Sequence, residues 1–300
     1  MAEVSTAHSP VIFDRALIRR RRLRAAALGS ATFLLDRVAD DLAERLSAVL
    51  RRFELAVDLG TPGEAVRVAL SRLDSIGTIV AVDALTRTRP FVVADEEALP
   101  FGDAALDLAV SALALHHVND LPGALVQIRR ALKPDGLFVA ALFGGETLTE
   151  LRQSFAAAES DIEGGASPRV APFADLRELG ALLQRAGFAL PVIDVERVCV
   201  RYDSVFGLMH DLRRMGATNA LNARRRTPLR RATLLRMAEI YAREFADDDG
   251  RVRATFEIVW LSGWAPHPSQ QQPLKPGTAK TRLADALGSR EISAGDKAGG

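Results

Sequence analysis

The chain has little of what several kinds of site require. It contains one cysteine, Cys199, which excludes an internal disulfide and any zinc or iron–sulfur site built from several cysteines. Its 39 basic and 38 acidic residues leave a net charge of +1, whereas a dedicated nucleic-acid-binding protein is clearly basic. The longest nearly unbroken apolar stretch, residues 106–115, is too short to cross a bilayer. The polar start of the chain does not match a secretory signal peptide. We therefore expect a cytoplasmic protein that has no membrane span and binds no nucleic acid.

What the chain does have is enough apolar material for a full core, since 48% of its 300 residues are hydrophobic. Helical periodicity over residues 1–50 predicts an N-terminal helical segment. An α/β domain is predicted over residues 51–265, divided into a first half, 51–145, and a second half, 146–265. Residues 266–300 are rich in proline, glutamine and glycine and predict a flexible tail.

Short apolar runs alternate with helical patterns through the middle of the chain. The runs predict buried strands over residues 55–60, 79–82, 91–94, 106–111 and 137–143. Helical spacing marks residues 64–73 and 121–132, and Lys133-Pro134-Asp135-Gly136 is a turn signal. Strands that are apolar on both faces and alternate with helices form a parallel sheet that is covered on both sides. The predicted fold is a doubly wound, Rossmann-like α/β domain with a mainly parallel sheet.

The second half of the domain continues with a similar mixture of elements. Thr147 and Glu150 have capping-box spacing and predict a helix over residues 147–158. The same kind of periodicity predicts the remaining elements, which are helices over 176–186, 205–215 and 233–245 and strands over 192–200 and 255–260.

A glycine turn and an acid follow the first two predicted strands. The segment Asp58-Leu59-Gly60-Thr61-Pro62-Gly63 ends the first strand, and glycines there let the backbone approach a ligand. Asp83 ends the second strand, where a carboxylate is placed to accept hydrogen bonds from a ribose hydroxyl pair. Asp83 is either that ligand or an ordinary charged strand end.

Further polar residues follow the third and fourth strands. Asp95 and Glu96 open an acidic loop that either contacts an adenine amino group or caps the loop itself. Ser111 either lines a ligand pocket or caps the next helix. The pair His116-His117 lacks the further ligands of an iron or zinc site, so we expect it to be structural and expect no metal.

The segments Asp107-Leu108-Ala109-Val110-Ser111 and His116-His117-Val118-Asn119-Asp120-Leu121-Pro122 resemble the region around the fourth strand of class I S-adenosylmethionine-dependent methyltransferases. This resemblance covers roughly residues 50–145. It implies a methyltransferase (a transferase), with S-adenosyl-L-methionine as the cofactor. The cofactor-binding residues that it implies are Asp58, Gly60, Gly63, Asp83, Asp95, Glu96 and Ser111.

The second half is similar to two subfamilies, over residues 143–152, 208–212 and 215–219. One comprises the malonyl-carrier-protein carboxyl O-methyltransferases of biotin synthesis. The other comprises the complex I assembly factors with reported arginine hydroxylase activity and their alphaproteobacterial relatives. Residues 12–15, 163–165 and 256–259 look closer to the second group. The resemblance implies a protein or carrier-protein substrate, with a respiratory complex I subunit as one possibility. It assigns no catalytic residue.

Two features depart from the family pattern. The turn carries Pro62 and Glu64 where the family has glycines, and proline fixes φ and removes an N–H. Only residues 84–90 separate Asp83 from the third strand, too few for the usual crossover helix, so we expect an exposed adenosine edge. Three interpretations stay open: an active S-adenosylmethionine enzyme, an assembly factor acting on a respiratory subunit, or a degenerate binding module that has lost the cofactor.

A run of arginines lies near the start of the chain. In one interpretation, Arg19 to Arg22 and Arg24 make a peripheral contact with an anionic membrane or an acidic partner. In the second, they form a solvated helix face or reach back to the acidic loop at Asp95. The second interpretation is favoured.

Overall fold

The computed structural model describes residues 11–85, 90–173 and 176–271, together with Asp285 and Gly288. Its contacts divide the chain into two units, residues 1–266 and 267–300. In the second unit, the Gln270 N–H donates to the His267 carbonyl oxygen over 3.1 Å and closes a short turn. The predicted flexible tail, 266–300, lies largely outside the described residues.

The first unit contains one sheet, which has seven strands among the described residues. Their order across the sheet is β3-β2-β1-β4-β5-β7-β6. The five strands from β3 to β5 run parallel, and β7 runs antiparallel to both of its neighbours. The strands are β1 (Phe53–Leu59), β2 (Ile76–Val82), β3 (Phe91–Val92), β4 (Leu106–Ala112), β5 (Leu132–Phe143), β6 (Ala189–Tyr202) and β7 (Val252–Trp264). This mainly parallel sheet confirms the predicted Rossmann-like fold class.

Helices cover both faces of the sheet. They are α1 (Arg15–Ala27), α2 (Phe33–Ser47), α3 (Ala65–Leu70), α4 (Leu121–Ala131), α5 (Thr149–Glu163), α6 (Leu176–Arg185), α7 (Val205–Arg214) and α8 (Arg231–Phe245). Val139 and Ala141 of β5 pack in the core beneath α2, α3, α5, α7 and α8, while Phe138 and Ala140 pack in the core beneath α4 and α6. Since successive strand side chains point to opposite faces, this double covering explains the unbroken apolar runs. Within the described ranges, no helix is long and apolar enough to cross a membrane.

The start of α5 differs from the predicted capping box. The helix begins at Thr149, after Leu148 in the left-handed region with φ of 54°, and it continues to Glu163. The Thr147 hydroxyl accepts the Glu257 N–H over 3.1 Å, and the Glu150 carboxylate accepts the Thr255 N–H over 3.1 Å. The capping-box prediction was wrong because backbone N–H groups of β7 donate hydrogen bonds to both side chains.

The predicted turn at residues 133–136 lies inside a strand. β5 begins at Leu132, and its pairing with β4 jumps from Leu132 to Leu137. Asp135 between them has φ of 64°, in the left-handed region. The proline–glycine signal therefore marks a bulge that leaves the strand continuous.

We expect Glu150→Ala to lower the free energy of unfolding by roughly 1–3 kcal/mol, because it removes a buried acceptor from two donors of Thr255. Gln153→Ala, an exposed position on the same helix, is the matched control and should change stability by less than about 0.5 kcal/mol. Urea unfolding of the three proteins measures both effects. Equal stability of the two variants would contradict a stabilising hydrogen bond between Glu150 of α5 and Thr255 of β7.

Candidate functional site

A cavity of about 350 Å³ lies at the carboxyl ends of the parallel strands. It is at the point where β1 has β2 on one side and β4 on the other, which is where open α/β sheets bind ligands. The wall includes residues 61–64 after β1, Asp83 after β2, Glu96, and residues 113, 114 and 116–118 after β4. Residues of α1 and of the segment leading into α2 close the other side. Its volume falls in the range of roughly 300–1,000 Å³ that is usual for small-molecule sites.

The turn after β1 keeps its glycine requirement. Gly60 has φ of +70°, and a Cβ atom added to it would lie 2.7 Å from Glu96 Oε1. Gly63 has φ of +82° and has open space where a Cβ would be. The Thr61 hydroxyl accepts the Ala112 N–H over 2.9 Å and ties the turn to β4. The turn therefore forms despite the proline that follows Thr61.

Glu64 precedes the first residue of α3, and Pro62, Gly63 and Glu64 all line the cavity. Pro62 and Glu64, which stand where the family has glycines, thus change the lining of the cavity and leave the turn in place.

Asp58 lies beneath the turn, outside the residues that line the cavity. Its side chain is buried, and its Oδ2 accepts from Arg67 over 3.2 Å. Burial raises the pKa of Asp58 to about 6, although Thr61 and Arg67 oppose the rise. Ser111 is also buried, and its hydroxyl donates to the Leu59 carbonyl oxygen over 2.7 Å. Both predicted residues therefore support the turn from below.

Asp83 lies on the cavity wall and is only 5% exposed. Its Oδ1 accepts the Leu85 N–H over 3.0 Å, and its Oδ2 forms an ion pair with Arg22 of α1. The carboxylate is where the sequence places a ribose ligand, and a cation from the same chain already holds it.

The acidic loop after β3 is held in the same way. Arg15 forms ion pairs with Asp95 and Glu96 and lies 3.2 Å from Glu97 Oε1, while Arg19 lies 2.5 Å from Asp95 Oδ2. Burial raises the pKa of Asp95, but the Glu97 N–H and Arg15 outweigh it and hold that pKa below its ordinary value. Glu96 lines the cavity, whereas Asp95 lies behind it.

Of the two interpretations of the arginine run, the structure favours the one in which the arginines reach the acidic loop. Arg19 and Arg22 turn toward the cavity, while Arg20 and Arg24 are exposed. The expected exposed adenosine edge was wrong for the same reason. The described part of the connection from β2 to β3 contains no helix, and α1 covers the edge in place of one.

A second cavity of about 240 Å³ shares a wall with the first. Both are lined by His116, His117, Phe143, Met215 and Ala217. The remaining lining of the second cavity is mostly apolar and aromatic, with Arg169 and Arg213 as its charged members. Sequence reasoning did not find this cavity, because its walls come from α5, α7 and loops that are far apart in the chain.

His116 stands where the two cavities meet. Both of its ring nitrogens are shielded from solvent and have no hydrogen-bond partner in the part of the chain that the structure describes. Its ring centroid lies 4.8 Å from that of Phe143 and 5.7 Å from that of Phe173. Burial lowers the pKa of His116 well below its ordinary value, and burial with Arg22 and Arg15 lowers that of His117 to about 4. Both imidazoles are therefore neutral near pH 7.

The site fits S-adenosylmethionine, the cofactor implied by the sequence. Gly63 in the cavity wall has open space where a Cβ would be, Asp83 supplies a carboxylate at the end of β2, and the cavity has the size of a ligand site. Thr61, Gly63, Asp83 and Glu96 would contact the cofactor. Over the ranges 11–85, 90–173 and 176–271, no group of three or more metal-ligating side chains is close enough to hold an ion.

We expect Asp58 to make stability depend on pH. Its carboxyl holds a proton more tightly in the folded chain, where its pKa is about 6, than in the unfolded chain, where it is near 3.8. Raising the pH from about 4 to about 6 should therefore lower the free energy of unfolding of the wild type by roughly 2–3 kcal/mol relative to that of Asp58→Asn. Urea unfolding of both proteins across this range measures the difference. A difference that stays constant with pH would contradict the raised pKa.

Comparison with known proteins agrees with this geometry. Residues 57–140 match the family model described as a methyltransferase domain. The chain is 41% identical over 288 residues to the human protein named arginine-hydroxylase NDUFAF5, mitochondrial, covering 91% of this chain and 83% of that protein. It is 34% identical over 275 residues to the malonyl-(acyl-carrier protein) O-methyltransferase of Methylovorus sp. (strain MP688), covering 85% of this chain and 90% of that protein.

A solved structure supports the fold. A Bacillus halodurans protein assigned as a methyltransferase superposes with a TM-score of 0.51, covering 76% of this chain and all but 1% of its own, at 15% identity. These findings confirm the resemblance seen in the sequence. The chain belongs to the family of methyltransferase-fold proteins that includes arginine-hydroxylase NDUFAF5 and the malonyl-(acyl-carrier protein) O-methyltransferases.

Proposed function

We propose that this protein transfers a methyl group from S-adenosylmethionine to an acceptor held in the second cavity, and that a protein or carrier protein bears the acceptor. The observation that carries the proposal is the wall that the two cavities share at His116, His117 and Phe143. A donor in the first cavity and an acceptor in the second would meet there.

S-adenosylmethionine supplies an electrophilic methyl group on a sulfonium. The chain's own contribution is orientation and exclusion of water, because a displacement of this kind proceeds in line. The apolar and aromatic walls of the second cavity keep water away from the shared wall. Met215 and Ala217 border both cavities and add no charge near the reacting groups.

His116 is the polar group best placed to contact the acceptor. A neutral imidazole has one ring nitrogen that donates a hydrogen bond and one that accepts a hydrogen bond or a proton. Both nitrogens of His116 lack a partner among the described residues, so an acceptor group bound beside them would supply one. An acceptor that loses a proton on methylation needs such a base, whereas a carboxylate acceptor is already ionised.

A second candidate function is modification of an arginine side chain in a respiratory complex I subunit. It is supported by the 41% identity to a relative named as an arginine hydroxylase, over nearly the full chain. The rings of Phe143 and Phe173, whose centroids lie 6.1 Å apart, offer aromatic faces for a cation–π contact with a guanidinium. A carrier-bound carboxylate would instead pair with Arg213 at the same cavity.

Mass spectrometry distinguishes these functions. One incubation of the purified protein contains methyl-labelled S-adenosylmethionine and either malonyl-carrier protein or a complex I subunit that carries arginines. A second contains the same subunit with dioxygen and a two-electron reductant, because hydroxylation takes one oxygen atom from O₂ and reduces the other to water. A labelled acceptor that gains CH₂ supports the proposed function, and an acceptor that gains one oxygen supports the second candidate. No change in either acceptor would favour a binding module without catalysis.

We expect His116→Phe to lower the rate of acceptor modification by roughly 10²–10⁴-fold when the acceptor must lose a proton. Phenylalanine keeps the ring that packs on Phe143 and removes both nitrogens, so the variant should still bind S-adenosylhomocysteine. His210→Phe, at an exposed position of α7, is the matched control. A His116→Phe protein as fast as wild type would show that this imidazole does not serve as the base.

A further inference from the structure

One face of α1 carries three arginines at helical spacing. Arg15, Arg19 and Arg22 are four and three residues apart, which places them on the same side of the helix. All three line the cofactor cavity. We name these three residues the arginine strap.

The arginine strap holds the carboxylates that a cofactor would need. Arg22 pairs with Asp83, and Arg15 pairs with Glu96, which lies against the glycine turn. The two arginine side chains are each 17% exposed, and those of Asp83 and Glu96 are 7% and 10% exposed. Solvent therefore screens these ion pairs only in part.

A bound nucleoside competes with the arginine strap for Asp83. The ribose hydroxyls need this carboxylate as a hydrogen-bond acceptor. Its Oδ1 already accepts from Leu85 and its Oδ2 from Arg22. Each oxygen has a second acceptor site, but the Asp83 side chain is only 7% exposed and Arg22 lies against its Oδ2. The ribose hydroxyls therefore reach the carboxylate only when Arg22 moves away or gives up part of its contact.

The helix that carries the strap has few apolar contacts to hold it. α1 buries two of its residues, Ile18 and Ala25, whereas α2 buries six. Leu17 adds a half-buried apolar contact, and polar contacts also anchor α1, including the bond from Arg21 to the Thr218 carbonyl oxygen over 2.7 Å. An element with little buried apolar surface moves at low cost once its polar contacts change partner.

We propose that the arginine strap sets the affinity of the protein for its cofactor, by closing the cavity with ion pairs that the adenosine must displace. This inference rests on the proposed function, since it takes the first cavity as the S-adenosylmethionine site. α1 then covers the edge that a crossover helix covers in the family, and it adds a barrier that such a helix would not.

Calorimetric titration with S-adenosylhomocysteine tests the proposal without needing the acceptor. This ligand carries no net charge near pH 7, so screening of its own charge is a minor effect. We expect the double variant Arg15→Gln/Arg22→Gln to bind it about tenfold or more tightly than wild type, because glutamine keeps the helix and removes the charges. Wild-type affinity should rise severalfold with added salt, and that of the variant should stay flat.

The matched control is Arg20→Gln/Arg24→Gln. These exposed arginines are on the same helix and have no ion pair within the described residues, so their loss should leave affinity at the wild-type value. If wild type binds and the Arg15→Gln/Arg22→Gln protein binds no more tightly, the strap proposal fails and the proposed function stands. If none of the three proteins binds, both fail.

A second measurement avoids any variant. Hydrogen–deuterium exchange of residues 15–27 in the wild-type chain should increase when S-adenosylhomocysteine is added, because the ion pairs that hold α1 are released. Unchanged or slower exchange of α1 in the saturated complex would overturn the proposal.

Discussion

The site depends on a cluster of carboxylates that the parallel sheet gathers at one edge. Asp58, Asp83 and Glu96 follow or end strands whose carboxyl ends meet there, and all three are buried. Buried carboxylates are costly unless cations or hydrogen-bond donors compensate them. α1 supplies Arg15 for Glu96 and Arg22 for Asp83. Asp58 has a weaker partner in Arg67 and keeps a raised pKa.

The two cavities share a wall because both lie at the carboxyl ends of the parallel strands. β4 ends beside the glycine turn, and the segment after it carries His116 and His117 between the cofactor side and the acceptor side. Phe143, at the end of β5, completes the wall from the next strand. A donor and an acceptor bound to neighbouring strands are thereby held close together, which is the main requirement for methyl transfer.

Sequence patterns predicted the features that depend on residues close together in the chain. Apolar runs located the strands, and the residue order after them placed Asp83 and Glu96 at the cavity. The capping box at Thr147 failed because β7, over a hundred residues away, offers its backbone to the same side chains. The ion pair from Arg22 to Asp83 spans 61 residues, and no local pattern identifies such a partner. The second cavity was missed for the same reason.

The most direct test is a crystal structure of the protein with S-adenosylhomocysteine. The account predicts the ligand between the turn at Gly60–Glu64 and Asp83, with the Arg22 guanidinium moved off that carboxylate. The thioether sulfur should face the wall formed by His116 and Phe143. A ligand bound elsewhere, or one bound in this cavity while Arg22 keeps its full contact with Asp83, would contradict it.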